Sequence, residues 1–363
     1  MPLPRRHAPR RSFQPSPAAH LPNRRAALLA GLGAAGALLT GCELARPVNV
    51  DAARGAAPNP DHQKLRIAHG YEPTHPIESV GIAQLRTQLA EVGIDVLSYP
   101  SGQLGSEAEL LEQVATGALD MAFAGASFLG MWLSEAAVLD AIYLFENVEQ
   151  FHQATDGPIV SEVYDRLEET SGLRVASSWY YGSRDITSNR PIREPADLRG
   201  LKIRTPDAPL YLTSFSVLGA TATPMALSEV YLGLQQGTID AQENPIPTIA
   251  SAKFYEPQDY LNLTSHIIQG TNMVTTARAM SAFSPDQQAA IAAALDEARA
   301  VNRRTIEENE QRYLEEWSTT GAITIVDDVD TDAFRELAES KLPKRVPWGD
   351  TYLALQKSVE GVS

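Results

Sequence analysis

GSRDITSN at positions 182–189 is the first of three motifs that decide the fold of this chain, and LKIRTP at 201–206 and QENP at 242–245 follow it. The first two motifs contribute Arg184 and Arg204. An arginine guanidinium is always charged, and its planar set of donors matches a carboxylate. Two arginines and an asparagine amide in one cleft would form a receptor for an anion. The pattern therefore indicates recognition rather than chemical conversion.

Further motifs surround these three. They are Tyr99-Pro100 with Gln103-Leu104-Gly105, Gly117-Ala118-Leu119-Asp120, Thr223-Pro224-Met225 with Ser228-Glu229, and Lys253-Phe254-Tyr255-Glu256. Together the motifs resemble the DctP-like substrate-binding proteins of TRAP transporters, which are tripartite, ATP-independent periplasmic carriers. The resemblance runs from about Lys64 to the C-terminus with order and spacing kept, so it is more specific than any single motif. It implies an α/β, two-lobed periplasmic-binding-protein-like fold with hinge strands.

The resemblance also implies roles for three site residues. In the family, the arginine that corresponds to Arg204 pairs with the carboxylate of the ligand, and Arg184 and Asn244 match ligand-binding positions in the same way. Each has a structural alternative. Arg204 could pair with Asp207, Arg184 could form an ion pair between the lobes, and Asn244 could form a turn before the proline that follows it.

Four further positions complete the predicted ligand site. Asp207 and Leu227 fall where the family contacts its ligand. Glu72 and Ser127 follow predicted strands, and α/β folds place ligands at the carboxyl ends of strands. The sequence therefore predicts that these four side chains lie near the two arginines.

The sequence constrains the identity of the ligand less than it constrains the site residues. Gly125 and Phe128 stand where sialic-acid-binding members have an acid and an arginine, so the resemblance favours a smaller acid over sialic acid. His75 could bond a ligand hydroxyl or could serve only as a turn residue before a proline. Four aromatic residues could line a sugar-sized pocket or belong to the core: Trp179, Tyr180, Tyr181 and Tyr211.

The charge of the chain restricts its partners. The sequence has 30 basic and 45 acidic residues, and six of the arginines lie in the first 41 positions, which hold no acid. Without that segment, 24 basic residues stand against 45 acidic ones, a formal net charge of −21. So acidic a body argues against nucleic acid or an anionic membrane surface as a partner.

The N-terminus is predicted to be an export signal over residues 1–41. Arg24-Arg25 precedes an apolar run that is too short for a permanent membrane span. The arginine pair resembles a twin-arginine signal, and the general secretory route stays open. The segment Leu39-Thr40-Gly41-Cys42 resembles a lipobox, so we expect Cys42 to be acylated as a lipid anchor. Since Cys42 is the only cysteine, no internal disulfide is expected. A flexible tether is predicted over 42–62.

The mature body alternates predicted strands and helices, which indicates an α/β fold. Strands are predicted at 64–68, 94–99, 118–123 and 173–179, and helices at 81–92, 107–115, 228–236 and 334–342. We assign 63–181 with about 270–305 to lobe I, and 182–269 with about 306–363 to lobe II. Two crossings between the lobes would form a hinge.

The longest predicted helix begins at Ser284 and ends near Thr320. Ser284 and Gln287 form a capping-box pair, and Pro285 suits the first helical position. A helix of this length spans roughly 54 Å, which exceeds one small lobe. The resemblance implies a helix laid across both lobes. A coiled-coil dimerisation helix is the alternative, but its apolar residues do not follow a regular heptad.

The sequence gives little support to catalysis or to a metal site. His69 and His75 have no matching set of ligands for zinc. The segment 125–130 misses the nucleophile-elbow pattern by one residue. The acids from Asp328 onward resemble a calcium loop, but capping of the helix at 334–342 by Thr331 or Asp332 explains them better. We therefore expect no enzyme activity, catalytic residue, metal or cofactor.

These observations predict an extracytoplasmic solute-binding protein, in the periplasm or on the outer face of the cytoplasmic membrane. It would capture a small organic acid between its lobes and deliver it to the membrane permease subunits of a TRAP transporter. A sugar acid or another hydroxylated monocarboxylate is the expected ligand, and a C4-dicarboxylate stays open. The alternatives are a ligand-sensing receptor subunit and an extracytoplasmic hydrolase.

Overall fold

The computed structural model describes residues 61–362. The predicted export signal over 1–41, the predicted lipidation site Cys42 and the tether up to residue 60 lie outside the described residues. None of the helices in the described range combines the length and the apolar character that a membrane crossing requires.

Within residues 61–362, nine strands form one mixed sheet. They are β1 (Gln63–Ala68), β2 (Ile94–Tyr99), β3 (Met121–Gly125), β4 (Leu173–Ser188), β5 (Lys202–Thr205), β6 (Thr221–Pro224), β7 (Ala241–Pro245), β8 (Tyr260–Thr276) and β9 (Thr324–Val326). Their order is β2-β1-β3-β8-β4-β7-β5-β6, and β9 pairs with β8. The long antiparallel strands β4 and β8 join a parallel group, β1 to β3, to a second group, β5 to β7.

Helices cover the sheet. They are α1 (Ala83–Ala90), α2 (Glu107–Thr116), α3 (Ala126–Leu129), α4 (Val148–Thr155), α5 (Pro158–Ser171), α6 (Pro209–Leu218), α7 (Val230–Gln235), α8 (Ile246–Ser251), α9 (Ala277–Met280), α10 (Pro285–Thr320), α11 (Thr331–Lys341) and α12 (Gly349–Ser358). The predicted two-lobed α/β fold is confirmed. The assignment of sequence ranges to each lobe stays a prediction.

Helix α10 connects both groups of strands. Ser284 and Gln287 form the predicted capping box, with the Gln287 N–H donating to Ser284 Oγ at 3.2 Å, and Gly321 ends the helix in the left-handed region. Leu295, in the N-terminal half, packs in the same apolar cluster as Leu85 of α1. Trp317, in the C-terminal half, packs in another cluster with residues of α8 and β8. The predicted bridging helix is confirmed, and it buries its apolar side chains against its own chain.

The middle of β4 is irregular where it carries the GSRDITSN motif. Its register against β8 shifts between Tyr180 and Gly182 and again between Arg184 and Ile186. Gly182 has φ 129°, and a Cβ there would lie 2.6 Å from Pro245 Cβ. The Ser183 N–H donates to Glu310 Oε1 of α10 at 2.9 Å. At this irregularity α10 is hydrogen-bonded to the middle of β4. Only glycine fits at position 182.

Several predicted boundaries differ from the structure. The strand predicted at 173–179 continues to Ser188, because β8 pairs with it along its whole length. The helix predicted at 81–92 begins with a wide turn, Ile77–Ile82, before α1. The helix predicted at 228–236 consists of a tight turn, Leu227–Glu229, and α7. The predicted capping of the last acidic segment by Thr331 or Asp332 is wrong: Asp330 Oδ1 accepts the Ala333 N–H at 3.0 Å and caps α11.

Candidate functional site

A cavity of about 440 Å³ lies where the two groups of strands meet. Residues on the β1–β3 side, on the β5–β7 side and on the two central strands contribute to its wall. Those that carry polar or aromatic groups include Tyr71, Glu107, Phe128, Tyr181, Arg184, Arg204, Asp207, Tyr211, Asn244, Gln269 and Thr271. The cavity therefore combines charged, hydroxyl and amide groups with aromatic rings.

Five of the seven predicted ligand-binding residues lie in this wall: Arg184, Arg204, Asn244, Asp207 and Leu227. The structure does not bring the other two into it. Glu72 Oε2 accepts the Ser101 hydroxyl at 3.1 Å. Ser127 donates its N–H to Asp140 Oδ2 at 2.7 Å and lines a separate pocket of about 130 Å³.

Of the four aromatic residues singled out in the sequence, two line the cavity and two do not. Tyr181 and Tyr211 line the cavity, whereas Trp179 and Tyr180 are core residues outside the cavity wall. His75 is fully buried and also lies outside the wall, and its ring nitrogens face protein groups. Both Gly125 and Phe128 line the cavity, and neither side chain contributes a charge to it.

Arg204 stands at the end of β5 and is 3% exposed. Its Nε and Nη2 donate to the carbonyl oxygen of Met225 at 3.0 and 2.6 Å. Its Nη1 is buried without a partner, and no ion pair of Arg204 is found within residues 61–362, so the alternative pairing with Asp207 is not observed. Burial lowers the pKa of Arg204 to about 10, partly offset by the charge of Glu243. A buried guanidinium with a free donor is costly unless an anion meets it.

In contrast to Arg204, Arg184 has protein partners for its guanidinium donors. Its Nη2 donates to Glu243 Oε1 at 2.7 Å, its Nε donates to Glu243 Oε2, and its Nη1 donates to Gln269 Oε1 at 2.7 Å. Glu243 Oε2 also lies 3.1 Å from His266 Nε2. Burial alone would raise the pKa of Glu243, but the charge of Arg184 and the His266 hydrogen bond keep it below its ordinary value. The charge of Arg184 is thus already neutralised by the protein.

Glu107 is a cavity residue that the sequence reasoning missed. It is the first residue of α2, directly after the capping residue Ser106. Burial and the charge of Asp140 raise the pKa of Glu107, the charge of Arg204 opposes both, and the resulting pKa is about 7. A signal was available, because the capping box of Ser106 and Glu109 places Glu107 at the start of a helix that follows the predicted strand β2.

The chemistry of the cavity follows from these contacts. Among the described residues that line the cavity, Arg204 is the cation that is free to meet an anion. The amide and hydroxyl groups around it can exchange hydrogen bonds with a polyhydroxylated molecule. Within the part of the chain that the structure describes, no group of three or more His, Cys, Asp or Glu side chains could hold a metal ion. The arrangement is suited to holding an anion.

Known proteins are similar to this chain in sequence and in fold. Residues 82–346 match the family model described as bacterial extracellular solute-binding protein, family 7 (DctP). The 2,3-diketo-L-gulonate-binding periplasmic protein YiaO of Escherichia coli is 33% identical over 267 residues, which cover 72% of this chain and 81% of the relative. The sialic acid-binding periplasmic protein SiaP of Vibrio cholerae is 30% identical, over 70% of this chain and 79% of the relative.

A solved structure extends the likeness to the fold. The TRAP periplasmic solute-binding protein of Roseobacter denitrificans, crystallised with bound L-galactonate, superposes with a TM-score of 0.75 and 31% identity. The alignment covers 81% of this chain and 99% of that one. Since the family model spans well over half of the chain, the protein belongs to the DctP family of bacterial extracellular solute-binding proteins.

Proposed function

We propose that this protein captures a hydroxylated monocarboxylate, such as a sugar acid, and delivers it to the membrane permease subunits of a TRAP transporter. The observation that carries the proposal is the buried, unpartnered Nη1 of Arg204 in the cavity wall. A ligand carboxylate would accept from this donor and neutralise the charge, which makes occupancy of the cavity favourable.

The charge balance supports one carboxylate rather than two. Glu243 already neutralises Arg184, which leaves Arg204 as the cation without an ion-pair partner in the described cavity wall. Glu107 lies in the same wall and would repel a second carboxylate when ionised. A C4-dicarboxylate would therefore bury one charge without a partner, whereas a hydroxylated chain would bury none.

The polar groups support a ligand with several hydroxyls. Asn244, Gln269, Thr271 and Glu107 line the cavity together with the rings of Tyr181 and Tyr211. Such a mixture of hydrogen-bonding groups and aromatic surface suits a small, polar, carbon-rich molecule. The names of YiaO and of the Roseobacter denitrificans complex point to six-carbon sugar acids. The uncharged Gly125 and Phe128 weigh against sialic acid.

Binding by isothermal titration calorimetry tests the ligand class. We expect one equivalent of at least one six-carbon sugar acid, among L-galactonate, D-gluconate and D-glucuronate, to bind the exported protein. Galactose, which lacks the carboxylate, should not bind, and succinate and sialic acid should bind much more weakly. A preference for succinate, or binding of galactose, would contradict the proposal.

The export signal and the lipid anchor belong to the same proposal. An acylated Cys42 would hold the receptor on the outer face of the cytoplasmic membrane, close to the permease subunits. Cell fractionation tests the anchor: the wild-type protein should sediment with membranes, and a Cys42→Ser variant should appear in the soluble periplasmic fraction. Equal partitioning of both proteins into the soluble fraction would refute acylation but not sugar-acid binding.

A further inference from the structure

A chain of buried hydrogen bonds leads to Asn244 from outside the cavity. His75 Nε2 lies 3.2 Å from Thr248 Oγ1, and the Thr248 hydroxyl donates to the Tyr181 hydroxyl oxygen at 2.7 Å. The Tyr181 hydroxyl donates in turn to Asn244 Oδ1 at 3.3 Å. All four residues are buried, and of these only Tyr181 and Asn244 line the cavity.

The direction of donation is fixed at the His75 end. The Ile77 N–H donates to His75 Nδ1 at 3.2 Å, so this nitrogen must carry a lone pair. Burial lowers the pKa of His75 to about 3, so the ring is neutral and its single proton is on Nε2. Nε2 must therefore donate to Thr248 Oγ1, and the Thr248 proton is left to donate onward.

The other end independently requires the same direction. Arg184 Nη2 lies 3.1 Å from one terminal atom of the Asn244 amide. Since a guanidinium has no acceptor, that atom must be the oxygen, Oδ1. Tyr181 must then also donate to Oδ1, and its own oxygen is free to accept from Thr248. The constraints from both ends agree, so every proton in the chain points toward Asn244.

We propose that His75 and Thr248 are positioning residues that act through Tyr181 to fix the Asn244 amide with its N–H group toward the ligand. Asn244 Nδ2 donates one hydrogen to Gln242 Oε1 at 2.7 Å, and no other hydrogen bond of Nδ2 is found among residues 61–362. Its second hydrogen is left for a ligand oxygen. The site then presents a donor at this position, which suits a carboxylate or hydroxyl oxygen. This inference rests on the proposed function for the ligand, but the orientation of Asn244 does not depend on it.

The chain also links distant parts of the sequence. His75 lies in the segment between β1 and α1, whereas Thr248 belongs to α8, and the predicted lobe boundaries assign them to different lobes. The contact between them can form only when those two segments are together. The proposal therefore couples the approach of the two segments to the orientation of a binding residue.

Substitutions at Thr248 test the inference, because its side chain lies outside the cavity wall. Thr248→Val removes the hydroxyl while keeping the shape, and Thr248→Ser keeps the hydroxyl. By calorimetry with L-galactonate, D-gluconate and D-glucuronate, we expect about threefold to tenfold weaker binding for Thr248→Val, the range of one hydrogen bond. Thr248→Ser should restore binding to within about twofold of wild type.

A matched control separates positioning from stability. Thr275 is another buried threonine, and its hydroxyl donates to the carbonyl oxygen of Asp120 at 2.8 Å, away from the cavity. Thr275→Val should lower the thermal midpoint without changing affinity. In an Asn244→Ala background, Thr248→Val should no longer weaken binding, since the residue through which it acts is gone. An undiminished effect in that background, or equal affinity losses for the two valine variants, would overturn the proposal.

Nuclear magnetic resonance of the ligand-free protein provides an arm that needs no ligand. Nitrogen-15 shifts of His75 should identify the neutral ring with its proton on Nε2, and Thr248→Val should accelerate hydrogen exchange at the Asn244 side-chain amide. A proton on Nδ1, or unchanged exchange, would refute the positioning role. If no sugar acid binds, the proposed function fails, and this arm still decides the orientation of Asn244.

Discussion

Arg184, which lines the cavity, forms an ion pair with Glu243, with Arg184 Nη2 2.7 Å from Glu243 Oε1 and both side chains buried. Arg204 has no such partner within residues 61–362. The two arginines therefore differ in how their charge is balanced, although the sequence alone marks both as candidates to bind a carboxylate. Arg184 builds the wall and orients Asn244 and Gln269, while Arg204 carries the free charge.

Arg204→Ala should nearly abolish ligand binding while leaving the ligand-free protein about as stable as wild type. Removing one partner of a buried charged pair costs about 2–5 kcal/mol, or roughly 30-fold to several-thousand-fold in affinity. In the absence of ligand, loss of the bonds to Met225 is offset by relief of an unpaired buried charge, so stability should change by about 1 kcal/mol or less. Calorimetry and urea unfolding measure the two effects.

Arg193→Ala is the matched control for this variant. Arg193 pairs with Asp328 on the surface, where the pair is about half exposed. Its removal should leave both affinity and stability close to wild type, because exposed ion pairs contribute little. Near-normal affinity of Arg204→Ala would show that the ligand carboxylate binds elsewhere.

Glu243→Gln should have the opposite profile, with a large effect on stability and a change of ligand preference. It leaves Arg184 buried without its carboxylate, which should lower the free energy of unfolding by about 3–5 kcal/mol. It also creates a second free cation, so succinate should gain affinity relative to L-galactonate. Urea unfolding and calorimetry provide the measurements. Asp328→Asn, which breaks the exposed pair with Arg193, should change neither quantity appreciably.

The contrast between these two residues shows what local sequence can and cannot predict. Motifs mark Arg184, Arg204 and Asn244 as candidates, and all three line the cavity. Glu243 stands next to Asn244 in the same motif, yet its pairing depends on the antiparallel register that sets Arg184 opposite Pro245. Register between strands so far apart in sequence is a tertiary property. Local pattern therefore identified the charges but not which of them is neutralised.

The same distinction holds for the fold. The bounds of α10 could be predicted to within a residue, because a capping box and a terminal glycine are local signals. The full length of β4 could not, since its second half is a strand only through pairing with β7 and β8. Glu72 and Ser127 follow predicted strands as expected, but neither lines the cavity: Glu72 accepts from Ser101, and Ser127 lies in helix α3 and donates its N–H to Asp140.

Glu107→Gln should change how stability depends on pH. Burial raises the pKa of Glu107 to about 7 from an ordinary value of 4.5, so the folded state binds this proton more tightly than the unfolded state. Glu107 therefore contributes fully to the free energy of unfolding at low pH, and this contribution is lost as the pH rises from about 4.5 to 7. The glutamine variant lacks that loss. Its stability relative to wild type should therefore rise between pH 5 and pH 8, in the absence of ligand.

Comparison with wild type is needed because the pKa values of Asp185 and Glu310 are also raised to about 7 by burial. Glu112→Gln, an exposed position on the same helix, is the control and should follow the wild-type pH dependence. Thermal midpoints at several pH values provide the data. A constant difference between Glu107→Gln and wild type across this range would mean that Glu107 stays ionised in the folded protein.

Gly182→Ala should destabilise the protein more than an alanine at another glycine of positive φ. A Cβ at position 182 would lie 2.6 Å from Pro245 Cβ and 2.8 Å from Glu310 Oε1, so β4, β7 and α10 must separate to admit it. Gly200 also has positive φ, 77°, but a Cβ there meets nothing within 4 Å. Gly200→Ala should therefore show the cost of backbone strain alone, about 1–2 kcal/mol, and Gly182→Ala should exceed it by about 1 kcal/mol or more.

Because Pro245 follows Asn244, the displacement caused by Gly182→Ala should also weaken ligand binding, which Gly200→Ala should leave unchanged. Equal unfolding free energies for the two variants would mean that β4 and α10 can separate at Gly182 without an energetic cost. The close packing of Gly182 against Pro245 and Glu310 would then not contribute to stability.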